Sequence, residues 1–208
     1  MSAMDREAHW QNVYITKGEK EVSWFQEKPS KSLELIARCG ADPETAIIDV
    51  GGGASRLVDE LLKAGYRNLT ILDLSEAALA TSRERIGSRS EEVKWISGDA
   101  TTWQPSEQYD IWHDRAAFHF LTEAQDRQDY IARLKSALRH GGKVIIGTFA
   151  LDGPERCSGL PVQRYDANGL AAVLGPDFRL LSHGLEEHRT PWGASQMFQF
   201  SSFSFCPR

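Results

Sequence analysis

Three acidic residues stand at the ends of three short apolar runs, and three glycines follow the first of them. Ile47-Ile48-Asp49-Val50 leads into Gly51-Gly52-Gly53-Ala54-Ser55-Arg56, and the amphipathic segment Leu57 to Ala64 comes next. That order predicts a strand, a tight turn and a helix. Glycine at Gly51 and Gly53 lets the backbone approach a ligand that a Cβ would hold off, and a helix start presents N–H groups without intrahelical partners. The spacing departs from Gly-x-Gly-x-x-Gly, because Arg56 stands where a nicotinamide dinucleotide site has its third glycine. An acid two positions before the first glycine points instead to a ligand with a positive group.

Asp73 closes the second run, Leu69-Thr70-Ile71-Leu72, twenty residues after Gly53. A carboxylate at that strand end accepts both hydroxyls of an adenosine ribose. Asp99 follows the third run, Val93-Lys94-Trp95-Ile96. A fourth run, Tyr109 to His113, brings Asp114-Arg115-Ala116-Ala117-Phe118-His119 to the same rim. The guanidinium of Arg115 forks onto a carboxylate, so it suits an anionic part of a cofactor or substrate. His119 is the candidate proton acceptor, and His113, still in the strand, reads as structural. Cys157 reads as an inert thiol.

The elements that position these residues alternate. Helices are expected over Ser32 to Cys39, Ser75 to Ile86, Glu123 to Leu138 and Asp166 to Leu174, with a fifth strand over Lys143 to Ala150. Strands Phe178 to Leu185 and Gln196 to Phe205 close the chain, and the spacing of Phe198, Phe200, Phe203 and Phe205 predicts a break of register around Ser201-Ser202. Leu151 to Pro161 is too rich in turn formers to be regular and overhangs the rim. Such alternation means a parallel, doubly wound sheet with its ligand at the carboxyl ends of the strands.

Asp49-x-Gly51-x-Gly53, with Asp73 and Asp99 at the next two strand ends, resembles the class I S-adenosylmethionine-dependent methyltransferases. The resemblance implies a Rossmann-like three-layer sandwich with a mostly parallel seven-stranded sheet whose last strand is antiparallel. It further implies S-adenosylmethionine as cofactor and S-adenosylhomocysteine as product. Asp49, Gly51 and Gly53 then serve the ammonium-bearing end, Asp73 the ribose and Asp99 the adenine, with Leu74, Ala100 and Arg115 also among the cofactor-binding residues. Trp10-x-x-x-Tyr14 followed by Ser23-Trp24-Phe25 is similar to the N-terminal segment of a small group that includes elongation factor 1A lysine methyltransferases. In that group the aromatic residues reach the cofactor, which implies the same of Trp10, Tyr14 and Trp24. Asp114-Arg115-Ala116 resembles the group's Asp-Lys-Gly, implying that Asp114, Arg115 and His119 line the methyl-transfer site. The expected acceptor is a small molecule, with a protein lysine as the alternative.

The length of 208 residues and a mean hydropathy of -0.42 suit one domain over 1–208, with residues 1–40 as a helical lid and 46–208 as the core. No apolar run approaches a membrane span, and a cytoplasmic location is expected. Three scattered cysteines without metal-ligand spacing predict reduced thiols and no metal. A net charge of -5 argues against a nucleic-acid partner. A nicotinamide oxidoreductase and a non-catalytic cofactor-binding protein are the other classes in play; Arg56 disfavours the first, and the intact acids and glycines disfavour the second.

Overall fold

The computed structural model describes residues 3–207; the two ends of the expected 1–208 domain lie outside them. Helices α1 (Ala3–Thr16) and α2 (Ser30–Arg38) precede β1 (Ile47–Val50). The alternation continues with α3 (Leu57–Lys63), β2 (Leu69–Asp73), α4 (Glu76–Ile86), β3 (Val93–Ser97), β4 (Tyr109–Arg115) and α5 (Ala124–Ala137). Then come β5 (Leu138–Phe149), the two-residue strands β6 (Arg156–Cys157) and β7 (Leu160–Pro161), α6 (Ala167–Leu174), β8 (Phe178–Arg189) and β9 (Ser195–Phe205). Seven strands form one sheet in the order β3-β2-β1-β4-β5-β9-β8; β1 to β5 are parallel and β9 is antiparallel to both neighbours.

Both faces of the sheet are covered, which is why β1 and β2 are apolar runs buried along their length. One core holds Ile48, Trp112, Tyr130, Leu134 and Val144, and the other holds Leu35, Ile36, Leu57, Leu61 and Ile145. Local signals place the helix starts: the Ser75 hydroxyl accepts from Ala78 N at 3.1 Å, and the Asp166 carboxylate from Gly169 N at 2.7 Å. No helix is long and apolar enough to cross a membrane among the described residues.

Three expectations need correction. Strand β9 pairs with β5 without interruption from Phe198 to Ser204, so there is no break at Ser201-Ser202. The odd spacing between Phe200 and Phe203 instead sends Phe198 and Phe200 into one core and Phe203 and Phe205 into the other. The irregularity lies across the ladder in β8, between Leu180 and Ser182. The Leu151 to Pro161 loop contains a small hairpin, β6 with β7, turned by Ser158 and Gly159 at positive φ. Finally, α5 passes directly into β5 at Leu138, five residues before the expected strand start at Lys143.

Candidate active site

The carboxyl ends of β1 to β4 and the N-terminal segment enclose a cleft that opens to solvent. Asp73, Leu74, Asp99 and Ala100 line the end above β2 and β3, Gly51 its floor, and Trp10, Tyr14 and Trp24 its cover. Ala116, Ala117, Phe120, Leu121 and Cys157 line the end above β4 and β5.

The glycine turn is tight for a steric reason. Gly51 has φ 70°, and a Cβ there would lie 2.6 Å from the Ala117 Cβ; Gly53 has φ 30°, and a Cβ there would lie 2.7 Å from an Asp73 carboxylate oxygen. Asp73 accepts from Ser75 N at 2.8 Å. Burial pushes its pKa up to about 7, with the Asp49 carboxylate adding to the rise and backbone N–H groups of Ser75 and Gly53 opposing it.

Asp99 has different neighbours. Its carboxylate accepts from Thr101 N at 2.8 Å and Thr101 Oγ1 at 2.7 Å, and from Arg6 Nη2 at 2.9 Å. Burial alone would raise its pKa, but the bonds from Arg6 and Thr101 outweigh that and hold it below the usual carboxylate range. Arg6 also reaches Asp126 of α5 at 2.6 Å, so the buried guanidinium pins α1 across the rim. Gln11 adds a second tie, its Oε1 accepting from Ser75 Oγ at 3.0 Å and Ala77 N at 3.1 Å. Sequence reasoning missed Arg6, although Arg6, Trp10 and Tyr14 recur every fourth residue and so share one face of α1.

Trp10 packs edge-on against Trp24, with ring centroids 5.5 Å apart, and against Phe120 at 4.9 Å. Trp24 Nε1 donates to the Tyr14 hydroxyl at 3.1 Å. A latch holds the segment between them: Glu19 takes Arg56 at 2.6 Å and Arg85 at 2.7 Å. Arg56, the residue that breaks the dinucleotide spacing, thus ties the glycine turn to the cover.

Asp49 is not among the residues lining the main cleft. Its Oδ1 lies 2.7 Å from His113 Nδ1, and Asp49 lines a neighbouring cleft that shares Tyr14, Trp24, Gly51 and Arg115 with the first. Asp114 departs furthest from expectation. It is fully buried, and its carboxylate accepts from Ala117 N at 3.0 Å, Phe118 N at 3.0 Å and the Tyr130 hydroxyl at 2.6 Å. It shapes the loop after β4, and burial, opposed by these donors, sets its pKa at about 6. Ala116 in that loop takes φ 67°, the backbone of the glycine it resembles.

His119 also lies outside the cleft lining: it is wholly buried against Phe120 and Phe149, and Nδ1 accepts from Phe149 N at 3.4 Å. Burial, reinforced by the Arg115 charge, pushes its pKa down to about 3, which leaves a poor proton acceptor. Arg115 does line the cleft; its Nη1 donates to the Trp24 carbonyl at 2.9 Å and its guanidinium lies 4.7 Å from the Phe198 ring centroid. Cys157 borders it, a free thiol pushed up to about 11 by burial and therefore no nucleophile at neutral pH. Trp192 is exposed at the β8–β9 tip, away from the cleft.

In sheet order, glycine turn and acids at successive strand ends the chain is similar to the class I, Rossmann-like methyltransferases that use S-adenosylmethionine. Residues 47–142 match the family described as "Methyltransferase domain". The chain is 25% identical over 146 residues to the eEF1A lysine and N-terminal methyltransferase of Danio rerio, covering 68% of this chain and 21% of that protein. It is 28% identical over 108 residues to the ubiquinone/menaquinone biosynthesis C-methyltransferase UbiE of Roseobacter denitrificans, covering 50% of this chain and 42% of that protein. The chain thus spans about a fifth of the length of the first of these relatives. Among solved structures, the 1,6-didemethyltoxoflavin-N1-methyltransferase of Burkholderia thailandensis superposes with a TM-score of 0.72 at 18% identity, over 100% of this chain and 92% of that one.

The residues present fit the cofactor. Carboxylates at Asp73 and Asp99 and the rings of Trp10, Tyr14 and Trp24 line one cleft, whereas Gly53 lines neither cleft and the Cβ positions at Gly51 and Gly53 are met by Ala117 and Asp73.

Proposed function

We propose that the protein transfers the methyl group of S-adenosylmethionine to a small-molecule acceptor. Asp73 receives the ribose hydroxyls, Asp99 the adenine amino group, and Leu74 and Ala100 flank the base. Gly51, which lines both clefts, lets the main chain border the ligand, and Gly53 lets the turn pack against Asp73. Asp49 attracts its ammonium from the neighbouring cleft, and the rings of Trp10, Tyr14 and Trp24 face the sulfonium. When bound, the cofactor supplies a methyl group on a sulfonium whose C–S electron pair stays with sulfur as the new bond forms. The chain contributes alignment and exclusion of water. With Asp114 turned into its loop, His119 outside the cleft and Cys157 protonated, the acceptor brings its own free lone pair.

The observation that carries the small-molecule reading is the cover. Trp10, Trp24 and Phe120 interlock over the end of the cleft above β4, and Arg6 pins the helix that bears Trp10. A covered cleft of this kind admits a compact ligand more readily than a lysine on a protein surface. The eEF1A-directed relatives favour a second reading, protein lysine methylation, to which the net charge of -5 is suited through attraction of a basic partner. Labelled-methyl transfer by the full chain, run against a panel of small thiols, amines and acids and against eEF1A, decides between them. Label on small acceptors alone is expected; label on eEF1A alone would establish the second reading, and failure to bind S-adenosylhomocysteine would remove both.

A further inference from the structure

Arg115 carries more hydrogen-bonding capacity than its surroundings use. Nη1 is taken by the Trp24 carbonyl at 2.9 Å, while Nε and Nη2 are buried without partners. Those two nitrogens form one edge of the planar guanidinium, along which two N–H bonds run side by side. Parallel donors at that spacing match the two oxygens of a carboxylate. The group is also held in place beforehand, since Trp24 fixes one end and the Phe198 ring lies beneath it at 4.7 Å. A buried cation with two unmet donors is costly to fold, and a bound anion offsets that cost.

The acid that attracts Arg115 most strongly does not fill this role. Glu186 on β8 attracts Arg115 electrostatically, yet its own Oε2 is buried without a partner. A carboxylate has two sources here, the methionine part of the cofactor and the acceptor. Arg115 ends β4 and lines the neighbouring cleft with Asp49 and Gly51, and it also neighbours Phe198 of β9 and Cys157 of β6, at the end of the main cleft away from Asp73 and Asp99. The apolar residues of that end, Trp10, Phe120 and Leu121, suit a hydrocarbon or ring body.

We propose that the free edge of Arg115 binds the carboxylate of the methyl acceptor, so that the acceptor is a small organic acid with an apolar body. The inference rests on the methyltransferase reading and adds the chemical class of the substrate to it. Phenylacetate and its neutral amide, phenylacetamide, serve as probes for calorimetric titration of the full chain saturated with S-adenosylhomocysteine.

The acid is expected to bind at least about tenfold more tightly than the amide, the discrimination of one charge-assisted pair. Arg115→Met should erase that preference while changing the affinity for S-adenosylhomocysteine by less than roughly threefold. Arg115→Lys should restore only part of it, because an ammonium has no fork. Equal binding of acid and amide, or binding of neither, overturns the proposal. So does an Arg115→Met variant that loses about tenfold or more for S-adenosylhomocysteine but nothing for 5′-methylthioadenosine, which lacks the carboxylate. That result gives the edge to the cofactor and leaves the methyltransferase reading intact. Failure of wild-type protein to bind S-adenosylhomocysteine counts against that reading instead. If Arg115→Met does not fold, the wild-type comparison of acid with amide and the Arg115→Lys variant decide.

Discussion

His113 stands beside Asp49 in the parallel register of β4 and β1, with Nδ1 2.7 Å from Asp49 Oδ1, and Ser32 Oγ lies 2.8 Å from Nε2. All three residues are buried. A carboxylate only accepts, so Nδ1 donates to Asp49, and Nε2 meets the serine hydroxyl. A histidine in mid-strand thereby orients the first acid of the glycine motif.

His113→Phe removes the donor and leaves a buried carboxylate oxygen unmet, at a cost of about 2–3 kcal/mol in urea unfolding. If Asp49 serves the cofactor ammonium, this variant should weaken S-adenosylhomocysteine while leaving 5′-methylthioadenosine, which has no ammonium, unchanged. Equal losses for both ligands would reduce His113 to a packing role.

Asp73 ties cofactor affinity to pH. Its folded pKa of about 7 lies above the ordinary aspartate value, so its neutral form is favoured by folding. Its contribution to stability is therefore complete below pH ~4 and lost as the pH rises through about 7, a matter of a few kcal/mol. Asp73→Asn should raise the melting temperature of the ligand-free protein at pH 8 and flatten that dependence. Acceptance of ribose hydroxyls needs the ionised form, so wild-type affinity for S-adenosylhomocysteine should fall by up to about tenfold per pH unit below 7. A wild-type affinity flat from about pH 5.5 to 8 would show that Asp73 does not meet the ribose.

Gly51→Val meets two obstacles, a φ of 70° and a Cβ position 2.6 Å from the Ala117 Cβ. Binding of S-adenosylhomocysteine should be abolished, and chemical denaturation should show a loss of about 2 kcal/mol or more. Native affinity in this variant would place the ligand elsewhere.

Arg6→Met leaves Asp99 buried beside an apolar chain and unties α1 from α5. A destabilisation of about 3 kcal/mol is expected, together with faster proteolysis between residues 3 and 24. Ligand should slow cleavage there in the wild type if the segment opens and closes over the rim. Cleavage at the same rate with and without saturating S-adenosylhomocysteine would mark α1 as a fixed roof.

Local order supplied what could be read from the sequence. The strand–glycine–helix turn, the acids at three strand ends and the one-turn spacing of Trp10 and Tyr14 depend on chain periodicity, and chain periodicity is written in neighbouring residues. Tertiary structure decided where each polar side chain spends its hydrogen bonds. Asp114 reads as a rim acid in the sequence, but the Ala117 and Phe118 amides and Tyr130 occupy it in the fold. Asp99 is matched by Arg6, 93 residues away, and no spacing rule reaches so far. The faces of Phe200 and Phe203 followed from both sides of the sheet being covered, a property of the whole sandwich. Likewise, the unpaired edge of Arg115 exists only because distant residues, Trp24 and Phe198, hold that side chain where no carboxylate of the described residues meets it.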